Sequence, residues 1–130
     1  MIGLDTNVLV RYLAQDDPIQ SAKATQVIES FTEQNPGFVS IVVLADTAWV
    51  LERSYKLSNG EIAAAIERTL QTGVFLIERE QEVFAAMAAL KEGHGSFADA
   101  LIGALNTRAG CTRTVTFDRK ASRLPGFELL

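Results

Sequence analysis

Five short apolar runs alternate along this chain with longer stretches in which apolar residues recur every three or four positions. Runs that short are strands, and the longer periodic stretches are helices. Strands separated by helices have one economical solution, a parallel sheet with helices on both faces. The sequence therefore predicts an α/β fold, a three-layer α/β/α sandwich around a central, mostly parallel sheet.

The individual elements follow from local chemistry. Ile2-Gly3-Leu4 reads as a strand that stops at Asp5, and Val8, Leu9, Tyr12 and Leu13 put a helix over residues 6–14. Asp16-Asp17-Pro18 is a turn whose proline suits the first turn of a helix, predicted over residues 18–33 through Ala22, Val27, Ile28 and Phe31. Phe38 and Val39 form a strand. Residues 41–55 are so apolar that a deeply packed helix is the expectation, with strand the alternative for residues 41–44. Ser58-Asn59-Gly60-Glu61 has capping-box spacing and opens a helix that ends near Gly73. A strand over 74–77, helices over 80–92 and 97–109, a strand over 113–117, a helical turn over 118–124 and a strand over 127–130 complete the pattern. Gly93-His94-Gly95 separates the last two long helices.

The 130 residues suit one domain, residues 1–130, and 48% hydrophobic content is too high for a disordered tail. Cys111 is the only cysteine and His94 the only histidine, so neither an internal disulfide nor a Cys/His zinc site is available. A reducing, cytoplasmic setting is expected. No run reaches the roughly 18 to 20 apolar residues that span a bilayer, and no basic leader precedes the apolar start, so a soluble, unprocessed protein is expected with no membrane association. A net charge of −4 argues against broad nonspecific binding to nucleic acid. Arg108, Arg113, Arg119, Lys120 and Arg123 nevertheless crowd the last quarter of the chain, either as a solvated surface or as a local basic rim.

Four acids draw attention: Asp5, Asp46, Asp99 and Asp118. In a parallel α/β fold the functional crevice lies beyond the carboxyl ends of the strands, where Asp5 and Asp118 stand. Each also precedes a helix, and N-capping explains either one equally well. Ser96 to Asp99 has the spacing of a capping box. Asp46 lies inside an apolar helix with no cap, turn or lysine to account for it, so the expectation is a buried carboxylate that needs either a distant arginine or a bound cation. Brought together, the four would require a compensating cation. Carboxylate oxygens suit Mg²⁺ or Mn²⁺, and such a centre attacks phosphodiesters.

Other chemistries lack their parts. One histidine cannot run a two-histidine ribonuclease mechanism, and Cys111 with His94 makes a poor nucleophile pair. Neither a Gly-x-Ser-x-Gly nor a Walker A loop is present. Residues 93–98 fit a glycine-rich dinucleotide pattern, but a helix precedes them where a strand is needed.

Leu4-Asp5-Thr6-Asn7-Val8-Leu9, then Phe97-Ala98-Asp99-Ala100-Leu101-Ile102, then Thr114-Val115-Thr116-Phe117-Asp118-Arg119-Lys120 resemble, in order and spacing, the motifs of the PIN-domain family. The likeness runs through Arg123-Leu124-Pro125-Gly126-Phe127 and covers essentially the whole chain, and it is nearest to VapC-type toxins of toxin–antitoxin pairs. The resemblance implies a Mg²⁺- or Mn²⁺-dependent endoribonuclease that cuts structured RNA such as tRNA or rRNA. It also implies a homodimer held inactive by a VapB-like antitoxin gripping a helix-lined groove. By position, Asp5, Asp99 and Asp118 match the family's metal-site acids. Thr6, Asn7, Ser40 and Thr116 match its supporting polar residues, and Arg119 and Lys120 are the expected contacts to the RNA backbone.

Residues 39–46 match the family's second acidic motif, where glutamate is usual, so Asp46 is one methylene short. Ser96 stands where many relatives carry a further aspartate. A catalytically impaired domain that acts through RNA or antitoxin binding is therefore the rival. A phosphatase of the haloacid dehalogenase type needs a second aspartate where Asn7 stands. Trp49 and Tyr55 are candidate interface anchors, with core packing the simpler expectation for Trp49.

Overall fold

A computed structural model describes all 130 residues. The chain runs β1 (Ile2–Gly3), α1 (Thr6–Ala14), α2 (Pro18–Glu29), β2 (Gly37–Val39), α3 (Ile41–Arg53), α4 (Asn59–Gln71) and β3 (Phe75–Ile77). It continues α5 (Glu80–Lys91), α6 (Phe97–Arg108), β4 (Thr114–Thr116), a 3₁₀ turn (Ala121–Arg123) and β5 (Phe127–Leu129). The architecture is the α/β sandwich expected, with six helices around parallel strands.

The strands form two ladders where one sheet was expected. β1, β2 and β3 pair in that order and β4 pairs with β5, every pair parallel, and no ladder bond joins β1 to β4. Strands of two or three residues contribute few ladder bonds, so the helices carry most of the packing. One core of 21 buried residues joins both ladders, from Leu4 and Val39 beside the first to Leu101 and Leu124 beside the second. α5 against α6, α4 against α5 and α1 against α2 are the most extensive helix contacts.

Helix boundaries follow their caps. α2 starts at Pro18 with the Asp17 carboxylate accepting from the amides of Ile19 and Gln20, at 3.1 and 2.9 Å. It ends at Glu29, short of residue 33, because a turn with reciprocal backbone bonds between Thr32 and Asn35 takes over. Phe31 is buried outside the helix, its ring so close to Gly37 that a Cβ there would lie 2.5 Å from it. At α4 the capping box is complete: Glu61 donates its amide to Ser58 Oγ and accepts from the Ser58 amide. That second bond holds the Glu61 carboxyl below its ordinary pKa. Residues 41–44 are helical, and α3 stops at Arg53, two residues before the expected end.

A polar knot ties α1, the turn before α2 and the chain after α3 together. Arg11 donates to both Asp16 oxygens at 3.2 Å and to Tyr55 Oη at 3.1 Å, while the Tyr55 hydroxyl donates to Asp16 Oδ2 at 2.9 Å. The Tyr55 hydrogen bond and then Arg11 hold the Asp16 carboxyl below its ordinary range, so folding favours the ionised form. A carboxyl lowered by folding stabilises above its unfolded value, about 3.9, and loses that contribution as pH falls through the folded value. Asp16→Asn is accordingly expected to flatten the melting-temperature profile below about pH 4 while leaving its shape near neutrality unchanged. Thermal melts between pH 2 and 7, wild type against variant, read this directly.

Candidate metal centre

α3 decides one side of the site. Its buried stripe is Leu44, Thr47, Ala48 and Leu51, the spacing of one helix face. Asp46, two positions past Leu44, falls off that face and is exposed with no hydrogen bond or ion pair, which corrects the expectation of a buried carboxylate. Trp49 falls off it too. At 55% exposure it is no core residue, and its ring carries the Arg53 guanidinium 5.4 Å from the centroid.

A cavity of about 290 Å³ opens between α3, the start of α6 and the turn after β4. Ala45, Ala48, Trp49 and Glu52 form its α3 wall, with two alanines leaving the space. Asp99 and Asp118 line it from the other side, and Lys120 and Arg123 add two cations.

Both aspartates have a structural duty and a spare oxygen. Asp99 Oδ2 accepts from the Ser96 amide at 3.2 Å and the Asp99 amide donates to Ser96 Oγ at 3.1 Å, so the capping box at α6 is real. Gly95, at φ +67°, backs onto this carboxylate; a Cβ there would lie 3.4 Å from Asp99 Oδ2 and 3.1 Å from Leu124. Asp118 Oδ1 accepts from the amides of Lys120 and Ala121 at 2.8 and 3.2 Å. The Asp118 amide donates to Thr116 Oγ1 at 3.0 Å. Asp99 Oδ1 and Asp118 Oδ2 accept no protein hydrogen bond.

The remaining candidates are scattered. Asp5 occupies the N-cap position of α1, yet its side chain makes no capping bond and is exposed, which removes capping as its explanation. Thr6 is buried and Asn7 exposed, both in the first turn of α1. Ser40 caps α3, accepting from the Val43 amide at 3.2 Å. Neither Asp5 nor Asp46 lines the cavity, and Arg119 does not, although Lys120 does. His94 and Cys111 are also absent from its wall.

No three carboxylate, imidazole or thiol groups anywhere in the chain stand close enough to hold a metal ion together. The four acids are therefore not gathered as expected. Asp5 and Asp118 follow β1 and β4, which belong to separate ladders. The pair Asp99 and Asp118 still suits a hard cation, because Mg²⁺ keeps most of its waters and takes one or two carboxylates plus substrate phosphate. A softer, ligand-rich metal would find nothing here.

Sequence reasoning missed Trp49, Glu52 and Asn59 as cavity residues, while Arg123, one of the five basic residues read as a possible rim, does line the cavity. The signal was available in α3: Ala45, Ala48, Trp49 and Glu52 stand at i, i+3, i+4 and i+7, a second stripe beside the core-facing one.

Compared with known families, residues 2–126 match the family described as PIN domain. The chain belongs to the PIN-domain family. PIN domains are typically metal-dependent nucleases that use divalent ions, which agrees with the carboxylate and cation lining of the cavity. The comparison with curated proteins finds no match. No helix of this PIN domain is long and apolar enough to cross a membrane.

Proposed function

We propose that this PIN domain is a divalent-metal-dependent endoribonuclease of the VapC type, cutting structured RNA and neutralised by a VapB-like antitoxin. The observation that carries the reading is the sharing of one cavity by Asp99, Asp118, Lys120 and Arg123. Two carboxylates with spare oxygens beside two cations suit a metal and a phosphodiester at once. The three motifs around Asp5, Asp99 and Asp118 support the VapC subtype.

Asp99 and Asp118 would hold the cation, which is Mg²⁺ or Mn²⁺ by the hardness of the oxygen donors. When bound, that ion acidifies water and offsets charge on the phosphate. The protein's own contribution is placement. Ser96 fixes one oxygen of Asp99, and the amides of Lys120 and Ala121 fix one of Asp118, so the spare oxygens are aimed without further ordering cost. Lys120 and Arg123 attract and seat the RNA backbone, a contribution that weakens as salt rises. Exposed Val42, Phe84, Ile102 and Phe117 offer apolar surface for a second copy and for the antitoxin.

Asp46 is one methylene shorter than the family's usual glutamate and stands off the cavity wall, so only a longer side chain would carry a carboxylate toward it. Asp46→Glu is expected to raise metal-dependent cleavage several-fold; an equal or lower single-turnover rate would remove Asp46 from the site. The absence of three gathered acids favours a second reading, a PIN domain that acts through binding alone. The experiment separating them is a panel of labelled tRNA and rRNA-loop substrates with Mg²⁺, Mn²⁺ or EDTA, beside Asp118→Asn. Discrete products that need metal and vanish in the variant support the nuclease. RNA or antitoxin binding without cleavage supports the second reading.

A further inference from the structure

We infer that Trp49 is the stacking platform for an unpaired RNA base next to the cleaved phosphodiester. The inference rests on the ribonuclease reading and adds to it a substrate-binding residue that contacts the base and not the backbone.

Three observations lead to it. Trp49 is the only tryptophan of the chain and is 55% exposed, against the usual high burial of that side chain. It lies on the wall of the cavity that Asp99, Asp118, Lys120 and Arg123 line, so a base on its ring and a phosphate at the acids belong to one substrate. Its ring also holds Arg53 at 5.4 Å, and Arg53 makes no ion pair with a carboxylate. A cation on one face of an indole with the rest of the residue open is the arrangement that stacks a nucleobase and neutralises its phosphate.

Shape and charge narrow the substrate. A cavity of about 290 Å³ is at the small end of ligand pockets, the scale of a nucleotide and too small for a duplex. Aromatic stacking requires a base out of its helix, which single strands, loops and bulges supply. Glu52, on the same wall, repels backbone phosphate from that side and leaves the approach over Lys120 and Arg123. Stacking tolerates any base, so sequence preference must come from elsewhere.

Because Trp49 is the sole tryptophan, fluorescence excited at the red edge, where the two tyrosines do not absorb, reports on it alone. The test titrates the full chain with short single-stranded oligoribonucleotides in EDTA, so that nothing is cut, following tryptophan emission in wild type; affinities of wild type, Trp49→Phe, Trp49→Leu and Trp49→Ala are read from the anisotropy of end-labelled RNA. Expected are saturable quenching by RNA, affinity within about threefold for phenylalanine, and losses of roughly 5- to 150-fold for leucine and alanine. Melting temperatures of all variants are measured alongside, because a packing role would track bulk and stability rather than aromaticity. Leucine binding as well as phenylalanine overturns the inference, as does unchanged fluorescence while wild type binds RNA. Fluorescence that shifts with protein concentration and not with RNA also overturns it, by assigning Trp49 to contact between copies. If wild type cuts RNA in Mg²⁺ and only the tryptophan results are negative, the nuclease reading stands without Trp49. If wild type neither binds nor cuts RNA, both readings fall.

Discussion

Asp99→Asn and Asp118→Asn are each expected to lower metal-dependent RNA cleavage by about a thousandfold, with the fold intact. The size follows from what a metal supplies to phosphodiester cleavage, several kcal/mol of charge stabilisation in the transition state, most of which goes when the ion is lost. The fold survives because asparagine keeps an acceptor oxygen. Residue 99 still receives the Ser96 amide, and residue 118 still receives those of Lys120 and Ala121. Only the charge and one metal-competent oxygen disappear. Single-turnover rates with end-labelled RNA measure the loss, and circular dichroism confirms the helices. A loss below about tenfold in both variants would mean that the cavity is not the nuclease centre.

Phe97→Ala is the largest stability change expected near the site. Phe97 is 2% exposed, belongs to the main core and opens α6 directly after the Ser96 cap. Truncating a buried phenylalanine to alanine costs about 3–5 kcal/mol, counting lost transfer energy and the cavity left behind. For a domain of this size that lowers the melting temperature by roughly 10–20 °C. The capping box moves with it, so cleavage falls even below the melting transition. Phe97→Leu, which keeps most of the volume, is expected to lose less than half as much. Denaturant midpoints with unchanged slopes would confirm that the native state alone is affected.

Local rules made much of the fold legible. The Ser58 and Ser96 boxes and the proline of α2 mark helix starts from a few residues at a time, and each is where the spacing placed it, while the Asp17 cap was read only as part of a turn. α3 shows where local rules stop. Residues 41–51 are apolar on nearly every side, so composition called for burial throughout, but helix geometry splits them into a core stripe and a cavity stripe with Asp46 on neither. Trp49 was assigned to the core by size and is outside it by angle. Asp99 and Asp118 were read singly as helix-start residues or ligands, and each binds backbone amides at a helix or turn start through one oxygen and keeps the other spare, so the alternatives were not exclusive. The division of the strands into two ladders was illegible, because the pattern that marks a strand does not say which strand it bonds. Distance between residues 5 and 118 is a tertiary quantity that no motif encodes.

Asp99 and Asp118 are the proposed cation site of this PIN domain. Mn²⁺ titration followed by the paramagnetic signal of the free ion tests it without any assumption about the RNA cut. Wild type should take up Mn²⁺ in competition with Mg²⁺, and a chain carrying both Asp99→Asn and Asp118→Asn should take up none at the same concentrations. Undiminished uptake by the double variant would contradict the claim and move the metal site to Asp5, Asp46 or another acid outside the cavity.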